Sequence, residues 1–220
     1  MLSRSGTPHL RQKHQWQHDR VPRRDFDPAV LGRAVYPLLT SVVVPRPIAW
    51  VSTRSAAGVD NLAPHSFFTV SGVEPPVVQF TSVGHKDSLR NALATGEFVV
   101  CMSTEPLLEQ VNMTGTDYPK DVSEIDAAGV TREPSARVTP YRVAESPVAI
   151  ECVLAGTKEF GDCTVVFGEV VHLAVDEAVL RDDRPAIDLL RPVARLGAAE
   201  WSTIGAVTSH RRVPFSEVAG

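Results

Sequence analysis

Residues 45–91 read PRPIAWVSTRSAAGVDNLAPHSFFTVSGVEPPVVQFTSVGHKDSLRN, and this stretch decides the fold. Short apolar runs, rich in β-branched and aromatic residues, are separated by breaks that contain Gly or Pro. Such runs predict a strand over residues 48–53 and two strands within residues 70–80, on either side of a double proline. Residues 55–60 predict a turn with Gly58 at the position of positive φ.

The end of this stretch has the features of an anion site. The tetrapeptide HKDS follows a strand-like run, and apolar residues then recur at the spacing of one helical face. We predict a short helix over residues 88–94, capped by Asp87 or Ser88. The free N–H groups of its first turn would lie beside the Lys86 ammonium and a Ser hydroxyl, a combination that suits a phosphate monoester.

Composition limits the class of protein. The chain has 220 residues, of which 43% are hydrophobic and 22% charged, which is ordinary for one globular domain. A net charge of −4 argues against a general nucleic-acid binder. No apolar run reaches the roughly 18 residues that span a bilayer, and the N-terminus has no apolar core of a signal peptide. We therefore expect a cytoplasmic protein with no membrane and no nucleic-acid partner.

Three cysteines, Cys101, Cys152 and Cys163, are scattered through apolar, β-rich runs without a C-x-x-C pair. They are expected to be small buried hydrophobic residues rather than a redox disulfide.

Residues 1–24 are polar and charged and show no apolar periodicity, so they predict a disordered tail. His14 and His18 have the spacing of two helical metal ligands, but no Cys or carboxylate cluster is nearby, and no metal site is expected. Residues 25–220 are predicted to form a single domain. It would begin with a helix capped by Asp27, with proline in the first position.

The rest of the chain reads as short strands with few helices between them, which favours an antiparallel barrel over a βαβ sheet. The predicted strands are residues 36–44, 97–102, 148–155 and 165–175, the last two joined by a hairpin that bends at Gly161-Asp162, and residues 193–204 close the fold. The predicted helices are residues 106–112, capped by Ser103 or Thr104, a short one over 125–130, and 181–190.

Three motifs carry a resemblance to a known family: PRPIAWVST (residues 45–53), NLAPHSFF (61–68) and KDSLRN (86–91). Together, in this order and spacing, they resemble the flavin reductase-like, FMN-binding split-barrel family. The similarity extends from about residue 25 to about residue 205. It implies a mostly β fold with short helices, an antiparallel FMN-binding split β-barrel, and a homodimer with FMN at the interface.

Arg46 lies between two prolines that restrict its backbone and aim its guanidinium in one direction. This could be no more than a surface turn, or it could place a fork-like donor against a phosphate, a ribityl hydroxyl or a flavin carbonyl. Trp50 could belong to the core or form a stacking platform. In NLAPHSFF at least one phenylalanine is expected to face the core, while polar groups interrupt the apolar run and suit the pyrimidine edge of a flavin.

The KDSLRN motif could be a capped, solvated helix start, but the resemblance assigns it to the FMN phosphate, with Asp87 as a cap or as an orienter of Lys86. The residues that the resemblance assigns to the cofactor are Arg46, Pro47, Trp50, Ser52, Thr53, Asn61, Ala63, Pro64, Ser66, Ser82, Lys86, Asp87, Ser88 and Asn91.

Three positions in two segments depart from the family pattern. RLGAAEW (residues 195–201) resembles a closing segment with two adjacent glycines and a tyrosine, but this chain has Ala198 and Trp201. Many members have a His after the Gly-Asp of the hairpin, where this chain has Cys163. A role for that His in relaying a proton or in placing a nicotinamide cannot be transferred.

The sequence contains no H-E-x-x-H and no G-x-G-x-x-G, and no catalytic triad or carboxylate pair stands out. No catalytic side chain is expected, because a flavin supplies the electron chemistry itself. The resemblance implies an NAD(P)H:flavin oxidoreductase that reduces FMN with NADH or NADPH, the reduced flavin being either retained or released to a partner monooxygenase. The alternatives are a flavin-using oxygenase or reductase of an organic substrate in a biosynthetic pathway, and a non-enzymatic FMN electron carrier of the flavoredoxin kind.

Overall fold

The computed structural model describes residues 21–119 and 122–218. It divides into two compact units, Met1–Val35 and Tyr36–Gly220. Of the tail predicted for residues 1–24, residues 1–20 lie outside the described residues. These include His14 and His18. The single domain over 25–220 stays a prediction.

In the first unit, helix α1 spans Pro28–Leu31 and is followed by a 3₁₀ turn, Gly32–Ala34. The Asp27 carboxylate accepts a hydrogen bond of 2.8 Å from the Ala29 amide, and Pro28 holds the first helical position. The predicted cap is confirmed, because the carboxylate satisfies an amide that has no partner within the helix.

The second unit consists of short helices and fourteen strands among the residues that the structure describes. The remaining helices are α2 Val35–Val42, which begins at the unit boundary, α3 Asp87–Thr95, α4 Leu108–Met113, α5 Glu124–Ala127, α6 Ile187–Leu190 and α7 Phe215–Val218. The strands are β1 Arg46–Pro47, β2 Ala49–Arg54, β3 Asp60–His65, β4 Phe68–Val73, β5 Pro76–Val83, β6 Glu97–Met102, β7 Arg132–Glu133, β8 Arg142–Val143, β9 Val148–Phe160, β10 Cys163–Val175, β11 Leu180–Arg181, β12 Arg184–Pro185, β13 Val193–Arg195 and β14 Trp201–Thr203.

The main sheet has seven antiparallel strands in the order β3-β2-β6-β9-β10-β5-β4. Strands β3 and β4 form its two edges and are not hydrogen-bonded to each other, so the barrel stays open. A three-stranded sheet, β1-β13-β14, joins the chain around Arg46 to the C-terminal segment. The predicted fold, a mostly β antiparallel split barrel with short helices, is confirmed.

Two apolar clusters lie on opposite faces of β6, because side chains alternate along a strand. Val99 and Cys101 belong to one cluster, and Phe98 and Val100 belong to the other. Cys101 and Cys152 are fully buried, and burial raises the pKa of both thiols to about 12. They behave as the small hydrophobic residues that were predicted, while Cys163 is half-buried.

The strand predicted over residues 36–44 is wrong, since helix α2 occupies most of this run. Thr40 and Ser41 hydroxyls donate to carbonyls one turn earlier. The Arg46 guanidinium donates to the carbonyls of Thr40 and Val43 at the helix end. A side chain beyond the helix therefore satisfies C-terminal carbonyls that would otherwise be exposed, and this outweighs the β-branched composition.

The helix predicted over residues 181–190 is also wrong in its first half. Strands β11 and β12 form a hairpin there, and only α6 is helical. The two turn residues, Asp182 and Asp183, have φ angles of 52° and 58°. Asp tolerates this left-handed region, and two such residues in sequence make the turn that fits a two-residue hairpin.

The other predicted elements are present with shifted ends. The strand over residues 97–102 matches β6, the hairpin bends at Gly161 and Asp162, and β9 and β10 extend beyond the predicted strands. Thr104 precedes the 3₁₀ turn Glu105–Leu107, but its side chain makes no capping bond. Within the described residues, no helix combines the length and the apolarity needed to cross a bilayer.

Candidate functional site

A cavity of about 430 Å³ opens at the N-terminus of α3, and we call it the α3 cavity. The end of β3, the start of α3 and the loop after α4 form its walls. Its lining residues are Tyr36, Asn61, Ala63, Pro64, His65, Ser66, Phe67, Thr81, Val83, His85, Lys86, Asp87, Ser88, Arg90, Thr114, Gly115, Thr116, Asp117, Tyr118 and Glu124.

No side chain in the described part of the chain caps the first turn of α3. Its N-cap residue is Lys86, in an extended conformation, and not Asp87 or Ser88 as predicted. The Asp87 carboxylate pairs with Arg90 one turn along the helix, which takes it away from the capping position. The amides of this nine-residue helix therefore remain available to an anion in the cavity, where the helix dipole favours negative charge.

Lys86 supplies a cation beside these amides. Its Nζ lies 3.1 Å from Oδ1 of Asp117, a carboxylate in the cavity wall, so Asp117 and not Asp87 is the partner of Lys86. Both side chains are exposed. An exposed pair of this kind contributes at most ~1 kcal/mol, so a phosphate can replace Asp117 as the partner of Lys86 at little cost.

A buried network of amides and hydroxyls supports the cavity from behind. Asn61 Nδ2 donates to Ser88 Oγ at 3.1 Å and to Thr53 Oγ1 at 3.3 Å, and Asn91 Nδ2 donates to Thr53 Oγ1 at 3.1 Å. Asn61 and Ser88 line the cavity, whereas Thr53 and Asn91 lie behind them. The network fixes α3 against β2 and β3, so the helix N-terminus keeps its position relative to the β3 edge.

Two predicted serines lie away from the cavity wall. Ser82 is buried and donates to the Gly84 carbonyl at 2.7 Å, which shapes the turn before α3. Ser52 is buried, and its hydroxyl has no partner among the described residues. Neither serine lines the α3 cavity.

His65 belongs to the cavity wall and was not singled out from the sequence. Its Nδ1 lies 3.3 Å from the Thr81 carbonyl, so Nδ1 carries the proton and Nε2 is an acceptor. Nε2 is buried and has no partner among the residues that the structure describes. Burial lowers the pKa of His65 to about 4, which keeps the ring neutral at neutral pH. The one indication in the sequence was that a single histidine ends the strand-like run that became β3.

Glu124 is a second residue that sequence reasoning missed. Its Oε2 accepts a hydrogen bond of 3.1 Å from the Leu62 amide on the edge strand β3. The side chain is half-buried and lines the cavity, and burial raises the pKa of its carboxyl group. It sits in a polar stretch that predicted only a short helix, so the sequence carried no signal for this contact.

Arg46 is buried, and its guanidinium joins three segments of the chain. It donates to the carbonyls of Thr40 and Val43, to the Leu196 carbonyl at 2.7 Å and to Ser66 Oγ at 3.5 Å. Four of its five N–H groups thus have partners within the protein. Arg46 does not line the α3 cavity.

Pro47 and Trp50 also lie outside the α3 cavity. Pro47 is exposed, and Trp50 is completely buried, with its indole N–H donated to Thr114 Oγ1 at 2.8 Å. The structure therefore places Trp50 in the core, behind the loop that it supports, and not at a stacking surface.

A second cavity of about 500 Å³ adjoins the first, and we call it the Arg195 cavity. Its lining residues are Tyr36, Pro37, Thr40, Arg46, Ile48, Pro64, Ser66, Asn112, Gly115, Arg195, Ala198 and Trp201. Tyr36, Pro64, Ser66 and Gly115 line both cavities.

The turn between β13 and β14 forms one side of the Arg195 cavity. The Arg195 guanidinium lies 4.9 Å from the centre of a Trp201 ring and donates to the Ala198 carbonyl at 2.8 Å. Gly197 packs directly on α2, since a Cβ atom there would lie 2.6 Å from Ser41 Oγ. Ala198 has a φ of 48°, in the region that favours glycine, where related sequences were expected to have one.

These residues fit a ligand that is anionic at one end and continues along β3. The uncapped amides, Lys86 and Ser88 could receive the anion, whereas the buried His65 Nε2 is not exposed to the cavity. An open antiparallel barrel with such a cavity at a helix N-terminus is the architecture of a flavin-binding split barrel. The chain belongs to the family described as flavin reductase like domain, whose model matches residues 41–191.

Relatives support this membership. An uncharacterised protein from Aquifex aeolicus is 39% identical over 172 residues, covering 76% of this chain and 88% of the relative. The crystal structure of nitrilotriacetate monooxygenase component B from Bacillus cereus has a TM-score of 0.82 at 30% identity, covering 87% of this chain and 100% of that chain. The structure of 2-nitrobenzoate 2-nitroreductase from Pseudomonas fluorescens has a TM-score of 0.79 at 31% identity, covering 87% and 98%.

Proposed function

We propose that this protein is an FMN-dependent flavin reductase that transfers a hydride from NADH or NADPH to the flavin. The observation that carries the proposal is the α3 cavity, where the uncapped first turn of α3, Lys86 and Ser88 converge on one anion site. A phosphate there would receive charge-assisted hydrogen bonds, which contribute about 1.5–3 kcal/mol each.

The remaining cavity residues would hold the rest of FMN. Asn61, which donates to Ser88 and Thr53, lies beside the anion site, and His65 ends the same strand. The backbone at Ala63 and Pro64 would border the ring system. The bound flavin would supply the hydride and electron chemistry. The protein's part would be to bind it, orient it and exclude water from its inner face.

Two relatives suggest what happens to the electrons. The similarity to nitrilotriacetate monooxygenase component B favours delivery of reduced flavin to a partner monooxygenase. A second candidate is reduction of an organic substrate on the protein itself. The Arg195 cavity beside the α3 cavity favours this candidate, together with 31% identity to a nitroreductase.

We also propose that the chain forms a homodimer. Large apolar side chains are exposed on α2, including Leu39 at 52% and Val42 at 73%, and on the edge strand β4, including Val70 at 69% and Val73 at 89%. Exposed apolar patches of this kind mark surfaces that another protein covers. A second copy of the chain would cover them and protect the β4 edge.

The test is reconstitution followed by reduction. The purified protein, incubated with FMN and desalted, should retain the flavin absorption bands, and the retained flavin should bleach rapidly when NADH or NADPH is mixed in by stopped flow. A protein that retains no flavin would refute the assignment of the cavity. A protein that retains FMN and is reduced by dithionite but by neither nucleotide would be an electron carrier instead.

A further inference from the structure

Of the residues that the structure describes around the Arg195 cavity, two carry guanidinium groups and none carries a carboxylate. Among the described residues, neither Arg46 nor Arg195 forms an ion pair with an acidic side chain. The pKa of Arg46 is lowered, mainly by burial and further by the charge of Arg195, although nearby Tyr36 acts in the opposite direction. No acidic side chain among the described residues offsets these two charges, although carbonyls at the C-terminal end of α2 partly offset that of Arg46, and this arrangement favours an anionic occupant.

Donors for that anion are already in place. Arg46 is 7% exposed and is held by its bonds to backbone carbonyls, and one N–H on its Nη2 has no partner within the described residues. Arg195 lines the cavity and donates one N–H to the Ala198 carbonyl at 2.8 Å, and its side chain has no other hydrogen-bond partner within the described residues. A buried guanidinium with a fixed orientation loses little entropy when it binds, so it discriminates well between an anion and a neutral group.

The cavity also has flat surfaces. The Arg195 guanidinium lies close to the ring of Trp201, and the aromatic ring of Tyr36 contributes to the wall that is shared with the α3 cavity. Aromatic and guanidinium groups both stack on planar ligands. The volume, about 500 Å³, lies within the range of small-molecule sites, roughly 300–1,000 Å³.

We propose that the Arg195 cavity binds a small planar organic anion, of the aromatic carboxylate class, as a second ligand beside the α3 cavity. The proposal rests on the proposed function in one respect, namely that the neighbouring ligand is a flavin. Pro64 and Ser66 border both cavities, so a molecule held by Arg46 and Arg195 would lie next to the flavin site.

The experiment compares an acid with its neutral isostere on the FMN-loaded protein. Fluorine-observed NMR titrations would give the Kd of 4-fluorobenzoate and of 4-fluorobenzamide. We expect the acid to bind at least tenfold more tightly, which corresponds to ~1.4 kcal/mol. In Arg195→Gln this preference should fall to about twofold or less. The exposed Arg184, which lines neither cavity, provides the matched control, and Arg184→Gln should keep the full preference.

Two further measurements separate this site from the α3 cavity. Trp201→Leu should weaken acid and amide by the same factor, because it removes a flat surface and no charge. Lys86→Ala, kept saturated with FMN throughout the titration, should leave 4-fluorobenzoate binding unchanged. Equal affinities for acid and amide, an unchanged preference in Arg195→Gln, or a loss in Lys86→Ala would each overturn the proposal.

The failure of the two proposals can be told apart. If saturating FMN displaces 4-fluorobenzoate that was first bound to the FMN-free protein, the acid occupies the flavin site and the second site does not exist. If the protein binds no FMN but shows a preference for the acid that depends on Arg195, the anion site stands and the assignment of the α3 cavity fails.

Discussion

At the scale of single residues, Lys86 is the side chain whose role is easiest to isolate. It is exposed, its partner is an exposed carboxylate, and no core packing depends on it. Lys86→Ala should weaken FMN binding by about tenfold or more, because one charge-assisted bond contributes about 1.5–3 kcal/mol. Riboflavin, which lacks the phosphate, should bind to the variant and to the wild type with nearly equal affinity. Fluorescence titration of both flavins measures the difference.

Lys158→Ala is the matched control, since Lys158 is an exposed lysine in β9 that lies in neither cavity wall. It should change neither affinity. If Lys86→Ala weakens riboflavin as strongly as FMN, Lys86 supports the cavity structurally and the phosphate lies elsewhere.

His65 predicts a pH dependence of stability. Its folded-state pKa is about 4 and its ordinary value is 6.5, because burial disfavours the charged ring. Between these values the unfolded chain binds a proton that the folded chain does not bind, so acidification favours unfolding. The neutral His65 ring makes its full contribution to the free energy of unfolding above pH 6.5, and this contribution is lost as the pH falls towards 4. It amounts to ~3 kcal/mol, because each pKa unit corresponds to ~1.4 kcal/mol.

Urea unfolding of the FMN-free protein at several pH values checks this prediction. His65→Phe should flatten the decline between pH 6.5 and pH 4, whereas substitution of the exposed His85 by Asn should leave it unchanged. An equally steep decline in His65→Phe would mean that other groups control acid unfolding.

At the scale of elements, the contact between α2 and the turn after β13 is tight enough to test. A Cβ atom at Gly197 would lie 2.6 Å from Ser41 Oγ and 3.2 Å from its Cβ. Gly197→Ala should therefore lower the free energy of unfolding by about 1–3 kcal/mol, as overpacking does. Chemical denaturation measures it. Gly205→Ala is the control, because a Cβ there meets nothing within 4 Å. Equal stabilities of the two variants would show that the turn moves away without cost.

The elements that local chemistry specifies were predictable. β6 follows from its apolar residues, and α1 follows from Asp27 and Pro28. Helix α2 was not predictable, because its last carbonyls depend on Arg46 from outside the helix. The Asp182-Asp183 turn was predictable in principle, since Asp tolerates the left-handed region, although the residues around it predict a helix.

The residues of the candidate site also differ in how far the sequence predicts their placement. The KDS motif was predictable as a helix start, because its chemistry is local, and the structure brings it to the same cavity as polar residues of β3. Their contact with FMN stays a prediction. Trp50 and Arg46 could not, since only tertiary contacts decide whether a large side chain faces a ligand, the core or a backbone carbonyl. The role of His65 depends on its contact with the Thr81 carbonyl on β5. This strand is not a hydrogen-bonded neighbour of β3, so the sequence did not predict the contact.

At the scale of the whole molecule, the exposed apolar residues of α2 predict the oligomeric state. Leu39→Asp combined with Val42→Asp should convert a dimer to a monomer, because both carboxylates would have to be desolvated in the interface. Sedimentation equilibrium measures the mass directly. Val207→Asp, at an exposed apolar residue outside helices and strands, should leave the dimer intact. A wild-type monomer at micromolar concentration would contradict the proposal.

The Arg46 guanidinium has a further consequence for how the protein opens locally. It holds the end of α2, the segment before β1 and the turn after β13 through one rigid group. When the hydrogen bonds of the guanidinium break, all three segments lose a partner at once. Their amides should therefore exchange with deuterium as one cooperative unit. A ligand on the remaining Arg46 donor would slow exchange in all three segments together, including backbone that it does not touch. Hydrogen exchange followed by mass spectrometry would reveal this shared protection, and separate rates for α2 and the turn would show that the segments open independently.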